Sequence, residues 1–197
     1  MSPADTPLTR ERILASAEDV IRRFGPDKAT VVDVARALGV SHAAVYRHVA
    51  TKAELRDLVV ARWADATMPP LRAIAAASGA APKRLRQLLD ALIAVKRRRA
   101  AEDPELFTAY RTLAAGAESI TTAHVDELVA LIASVIRAGV KQGAFRKVDP
   151  AATGRALLLA TMRFHHPAHA AEWKATNIDA EFDELWRLLM RGLVVAK

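Results

Sequence analysis

Two stretches of this chain hold side chains whose types and spacing suit chemistry. His165-His166-Pro167-Ala168-His169 places three of the six histidines within five residues. His165 and His169 stand four apart, a spacing that sets two imidazoles on one helical face and suits a transition metal. Pro167 between them argues against a regular helix, and Glu172 is the only nearby carboxylate that could complete a ligand set. A structural or pocket-lining role is therefore expected, and no metal is assigned. The second stretch is Ser41-His42-Ala43-Ala44, followed by Tyr46-Arg47-His48 and Lys52. Small, hydroxyl, imidazole and cationic groups in such a run suit base edges and phosphates: Ser41 or His42 can hydrogen-bond them, and Ala44 fits a thymine methyl.

The elements that would carry the second stretch are marked by caps and by apolar spacing. From Thr30 to Lys52 the chain reads TVVDVARALGVSHAAVYRHVATK. Val34, Leu38, Val40 and Val45 can make one small core between two steeply crossed helices, with Ala35 allowing close approach. Gly39 stands where the chain must reverse, and a residue without a Cβ takes the left-handed conformation there at no steric cost. Thr30 with Asp33 forms a capping-box arrangement, Ser41 can cap the second helix, and Thr51 with Glu54 is a full capping box for the next. The pattern is a helix-turn-helix, whose second helix normally lies in the major groove. Thr30 and Lys52 fall at helix starts, where free N–H groups favour phosphate.

A third cluster, Lys96-Arg97-Arg98-Arg99, falls near the end of an expected helix, where cations favour the last carbonyls. A solvated helix end is the expectation, with room for Lys96 or Arg97 to turn inward to a ligand.

Composition bounds the function classes. Zero cysteines exclude disulfides, thiolate metal sites and a cysteine nucleophile. No motif supplies a nucleophile, an oriented base and an oxyanion site together, so no enzyme activity, catalytic residue or cofactor is expected. Net charge is +7, which favours a polyanionic partner. The first 60 residues hold nine Lys/Arg against eight Asp/Glu, so DNA binding must rest on a few placed cations, Lys28, Arg36, Arg47 and Lys52 among them. No apolar run approaches the roughly 20 residues of a membrane helix, and the start lacks a signal-peptide core; a cytoplasmic protein without membrane contact is expected.

Helical signals continue throughout, and about nine helices are expected in an all-α fold. The first spans about Arg10 to Phe24, with Thr9 as cap and Ile13, Leu14, Ala17, Val20, Ile21 and Phe24 on the buried face. A fourth from Lys52 to about Thr67 meets Met68-Pro69-Pro70, where it kinks or breaks. A fifth covers Pro82 to about Ala100. Asp103-Pro104 and Asp149-Pro150 read as cap plus first-turn proline for helices to about Ala115 and Phe164. Between them lies one from about Thr122 to Gln142, with Val125 and Leu128 on its apolar face, and the last covers Ile178 to Val195. Residues 1–50 form a three-helix DNA-binding domain in this reading, and residues 51–197 a helical effector-binding and dimerisation domain. The last two long helices carry more apolar residues than one internal face needs, so a homodimer through a four-helix bundle is expected.

Arg10 to Phe24, Gly25, the segment Thr30 to Val49, and Tyr46-Arg47-His48-Val49-Ala50-Thr51-Lys52-Ala53-Glu54-Leu55 together resemble the TetR family of bacterial transcriptional regulators. Members usually show Tyr-x-His-Phe-x-Ser-Lys-x-x-Leu here; Val49 replaces the Phe, Thr51 the Ser, and Ala43 stands where Gly is frequent. The distinctive motifs cover roughly the first third of the chain. The resemblance implies a repressor released from a near-palindromic double-stranded DNA operator by a small-molecule effector. It implies DNA contacts at Thr30, Ser41, His42, Ala43, Ala44, Tyr46, Arg47, His48 and Lys52. It also implies an effector cavity lined by the fourth helix, for which Trp63, Phe107, Tyr110, Arg111, Leu128, Met162, Phe164 and His165 are the candidates. The competing class is a small-molecule or metal-dependent helical enzyme built on His165–His169.

Overall fold

A computed structural model describes residues 7–28 and 30–195, the side chain of Lys28 excepted. Among these residues the fold is all-α, with one isolated antiparallel bridge between Phe145 and Val194. Eleven α-helices are present: α1 (Arg10–Phe24), α2 (Val31–Leu38), α3 (His42–Tyr46), α4 (Lys52–Asp65), α5 (Met68–Ala76), α6 (Ala81–Glu102), α7 (Pro104–Ala115), α8 (Glu118–Lys141), α9 (Pro150–Ala160), α10 (Met162–His165) and α11 (Ile178–Leu193). Two 3-10 segments, Pro26–Lys28 and Pro167–Lys174, join them.

The two helices beyond the nine expected come from local breaks. The chain stops at Asp65 and restarts at Met68, because Pro69 and Pro70 lack the N–H that would continue the earlier helix but are tolerated in a first turn. The helix after Pro150 is interrupted at Thr161, whose hydroxyl donates back to the carbonyl of Leu157 at 2.8 Å. Such back-bonding bends a helix.

The residues divide into two compact units. The first takes the described residues up to Ala64 together with Asp103–Thr122; the second takes Asp65–Glu102 and the described residues from Ala123 onward. The compact unit that holds the helix-turn-helix is thus larger than residues 1–50, since α4 and α7 belong to it.

In the first unit Ile13, Ala17, Val20 and Ile21 of α1 are buried with Val31, Val34 and Ala35 of α2 and with Val45 and Val49. Thr9 caps α1 by accepting from Arg12 N–H. Phe24, expected on the buried face, is 65 % exposed at the helix end. Ion pairs tie α4 to α1: Arg62 to Glu18 at 3.0 Å and to Glu11, and Arg10 to Glu54 at 2.6 Å. Asp103 caps α7 by accepting from Leu106 N–H, and it also pairs with Arg22 at 2.8 Å.

The second unit has one continuous apolar core drawn from α5, α6, α8, α9, α10 and α11. Leu85, Leu88, Leu89 and Leu92 of α6 and Leu128, Val129, Ile132, Val135 and Ile136 of α8 form its centre. Val125, expected on that apolar face, is exposed. Among the described helices α8 alone is long and apolar enough to cross a membrane, although no unbroken apolar run marks it in the sequence. Its apolar stripe is buried in the protein's own core instead. Phe145 enters this core against Gly139; a Cβ at Gly139 would lie 2.1 Å from the Phe145 ring, so only glycine fits there. Asp149 caps α9 through Ala151 N–H.

Candidate nucleic-acid interface and effector site

The helix-turn-helix and the helix that follows it are set by four satisfied helix ends. Thr30 Oγ1 accepts from Asp33 N–H at 3.1 Å, and the Thr30 hydroxyl donates a hydrogen bond to the Asp33 carboxylate in return. Gly39 closes α2 at φ 67°, ψ 29°, with its N–H on Arg36 O at 3.2 Å and Val40 N–H on Ala35 O at 3.0 Å. This left-handed closure is the turn the spacing required. Ser41 Oγ then accepts from Ala44 N–H at 3.2 Å and starts α3. Thr51 Oγ1 accepts from Glu54 N–H at 3.0 Å, while the Glu54 carboxylate takes Ala50 N–H at 2.7 Å, one residue earlier than an ideal capping box.

The resulting α3 is short, ending at Tyr46, with Arg47 and His48 continuing in a turn. Its inner anchors are Val45 and Val49, both fully buried. Val34 is fully buried as expected, but Leu38 and Val40 are only half-buried. Ser41, His42, Ala43, Tyr46 and Arg47 are exposed, and Ala44 and His48 half-buried. Tyr46 is 46 % exposed and so is not part of the small core. Thr30 is half-buried; Lys52 is exposed and its Nζ donates to Asp27 O at 3.3 Å. Arg36 is exposed and pairs with Asp33 at 3.3 Å. The side chain of Lys28 lies outside the described residues. The nine expected DNA contacts therefore fall on α3, its flanking turns and the starts of α2 and α4, and none is fully buried.

The expected effector residues divide between the two units. In the first, Trp63 stacks on Tyr110 at 3.7 Å between ring centroids, and Phe107 lies 5.9 Å from Trp63 at 53°. All three are buried, and Arg111 is exposed. In the second, Leu128 and Phe164 are core, Phe164 meeting Phe182 edge-on at 5.1 Å, and Met162 is half-buried. His165 is buried, with Nε2 3.2 Å from Thr161 Oγ1. His169 instead pairs with Glu172 at 2.7 Å. Among the described residues no three His, Cys, Asp or Glu side chains are arranged to hold a metal ion.

The basic run departs from the expected solvated end. Lys96 is 4 % exposed, and its Nζ lies 3.3 Å from His124 Nε2. Arg97 pairs with Asp179 at 2.6 Å, and Arg98 with Glu102 at the surface. Burial, then the nearby Arg99 charge, pushes the Lys96 ammonium down to about 7. Burial, then Lys96 and His165, brings His124 to about 3; burial and then Lys96 do the same to His165. Lys96 is the one of the two cations expected to have room to turn inward that does so, whereas His124 was not among the expected site residues. A signal for Lys96 was present, because it continues the Leu85, Leu89, Leu92 stripe of α6 by one turn.

Family models agree with this geometry. One described as bacterial regulatory proteins, tetR family, matches residues 13–59, and one described as tetracyclin repressor-like, C-terminal domain, matches residues 81–186. The chain belongs to the TetR family. No curated protein matches it. Solved TetR-family and related structures share its fold. The SmeT repressor of the SmeDEF multidrug efflux pump of Stenotrophomonas maltophilia aligns at TM-score 0.72 with 19 % identity, over 98 % of this chain and 93 % of SmeT. NalD, the secondary repressor of the MexAB-OprM pump of Pseudomonas aeruginosa, aligns at 0.60 with 19 % identity over 95 % and 98 %. A TetR/AcrR regulator from Thermobifida fusca aligns at 0.65 with 23 % identity over 93 % and 97 %. SmeT has also been solved in complex with triclosan, and that structure aligns at 0.70 with 18 % identity over 94 % and 91 %. This TetR-family chain is a DNA-binding transcriptional regulator, and the exposed face of α3 is where its helix-turn-helix meets solvent.

Proposed function

We propose that the protein is a cytoplasmic, homodimeric repressor released from a near-palindromic operator by a small-molecule effector. The observation that carries the reading is the exposed run Ser41, His42, Ala43, Tyr46 and Arg47 on a helix anchored from beneath by Val45 and Val49. A helix held that way can enter the major groove without unfolding anything. Ser41, His42, Ala43 and Ala44 would face bases, while Thr30, Tyr46, Arg47, His48 and Lys52 would bind phosphates and set the register. Residues 1–50 do the reading in this account, and residues 51–197 bind effector and partner subunit.

Dimerisation is assigned to α9 and α11, where Leu159 and Leu188 are 58 % and 65 % exposed. Two-fold symmetry would present two α3 helices to half-sites about 34 Å apart. A ligand that binds better to a dimer of another spacing would shift the population away from DNA. No catalytic step is part of this function. A gel shift on DNA from the protein's own promoter region tests it. Tyr46→Ala and Lys52→Ala should each weaken retention across sequences and lower the salt slope by roughly one for every phosphate no longer held. Unaltered slopes in both variants would remove these residues from the interface.

A further inference from the structure

A cavity of about 370 Å³ opens within the first unit, where the end of α1, the Pro26–Lys28 segment, the start of α4 and the end of α7 meet. Its floor is apolar: Ile21, Leu55 and Val59 are buried there, with Leu113 half-buried beside them. Lys52, Thr112 and Gly116 on its rim are exposed, so one side is open to solvent. The size lies at the lower end of the roughly 300–1,000 Å³ typical of small-molecule sites. None of the eight residues expected to face the effector lines it.

The rim carries Asp27, Lys52 and Arg56, one more cation than anion. Lys52 Nζ donates to the Asp27 backbone carbonyl at 3.3 Å, which ties the start of α4 to the Pro26–Lys28 segment. Arg56 gives Nε and Nη2 to Asp57 at 2.9 Å and 2.8 Å. A guanidinium has five N–H donors, so this pair leaves capacity for a second acceptor. The guanidinium rests against the end of α7, with Nη1 2.9 Å from where a Cβ on Gly116 would stand. The two cations thus border the same apolar floor from one side, and a single anionic group would balance the rim.

We propose that this cavity binds a small aromatic carboxylic acid, with its ring on the Ile21–Leu55–Val59 floor and its carboxylate on Lys52 and Arg56. The consequence for regulation rests on the reading above, in which Lys52 holds an operator phosphate. A carboxylate bound at Lys52 takes the place of that phosphate, so acid and DNA compete for one ammonium. Each then weakens the other by the same factor. The acid acts at the reading head itself and needs no movement relayed from the second unit.

The test is calorimetric titration of the full chain at pH 7 with benzoate and 2-naphthoate, beside benzamide and 2-naphthamide. A gel shift on the protein's own promoter DNA is run in the same buffers. Each acid should bind about tenfold tighter than its amide, roughly threefold from each of two part-exposed cations. Lys52→Gln should cut that preference to about threefold. Thr112→Trp, which fills the cavity from the exposed face of α7, should abolish binding of acid and amide alike while leaving DNA retention intact. Saturating 2-naphthoate should release DNA from the native protein and not from Thr112→Trp, whose folding is checked by melting. Equal binding of acid and amide, native acid binding in folded Thr112→Trp, no acid binding up to about 10 mM, or acid and DNA held together without mutual weakening would each overturn the assignment. The two readings fail separately. Acid preference that depends on Lys52 in a protein that never retains DNA keeps the anion site and removes the operator contact. DNA retention weakened by Lys52→Gln, with no acid bound, does the reverse.

Discussion

Replacing Lys96 by Met should make the protein more stable at neutral pH and remove a stability gain that the native chain shows in alkali. The ammonium is held at about 7 in the folded chain against 10.5 for a free lysine. Between those values the unfolded chain binds the proton and the folded chain does not, so native stability must rise with pH through this window. Below about 7 both states are protonated and the folded state bears the full penalty. At about 1.4 kcal/mol per pH unit the gain is on the order of 5 kcal/mol, less whatever solvation the site recovers by relaxing. Methionine keeps the apolar stem and discards the charge. At about 2–4 °C per kcal/mol for a chain of this size, the variant should melt up to about 10–20 °C above the native protein at pH 6, and the two should converge near pH 10. The acid limb supplies an internal control. His124 and His165, both held at about 3, also favour the folded state less as pH falls from 6.5 toward 3. Since Lys96 is one cause of both depressions, that limb should become shallower in the variant without changing sign. The assay is thermal melting by far-ultraviolet circular dichroism at half-unit pH steps and fixed protomer concentration. Parallel profiles from pH 7 to 10 would show that the ammonium is solvated, and the reasoning would fail.

Other perturbations follow from single contacts. Gly39→Ala places a Cβ at φ 67° with no atom within 4 Å, so the loss is backbone strain alone, about 1–2 kcal/mol; Gly39→Asn should lose less, and a melting series compares them. Gly139→Ala drives a Cβ into the Phe145 ring and should cost about 1–3 kcal/mol, part of which Phe145→Leu restores in a double-mutant cycle. Thr30→Ala removes the cap on α2 and should cost about 1 kcal/mol by chemical denaturation. Leu188→Glu places a charge on an exposed apolar position of α11 and should shift sedimentation toward the protomer while leaving the melting of the isolated fold little changed. A sedimentation profile unaltered by that substitution would move the subunit contact elsewhere.

The positions that sequence alone decided are those governed by the nearest few residues. Thr9, Thr30, Ser41, Asp103 and Asp149 each bond the N–H two or three residues ahead, so their helix starts need no distant partner. Gly39 takes the left-handed turn because its own lack of a Cβ permits it. The breaks at Ala66–Thr67 and Thr161 were harder to place, since a proline pair and a back-bonded hydroxyl each permit either a kink or a new start. Burial was decided by what arrives from elsewhere. Phe24 and Val125 fit an apolar stripe yet remain in solvent. Lys96 and His124 are 28 residues apart, and nothing within a helical turn of either announces the other. Only the crossing of α6, α8 and α10 brings their charges together, because helix packing joins residues by position in space and local capping cannot.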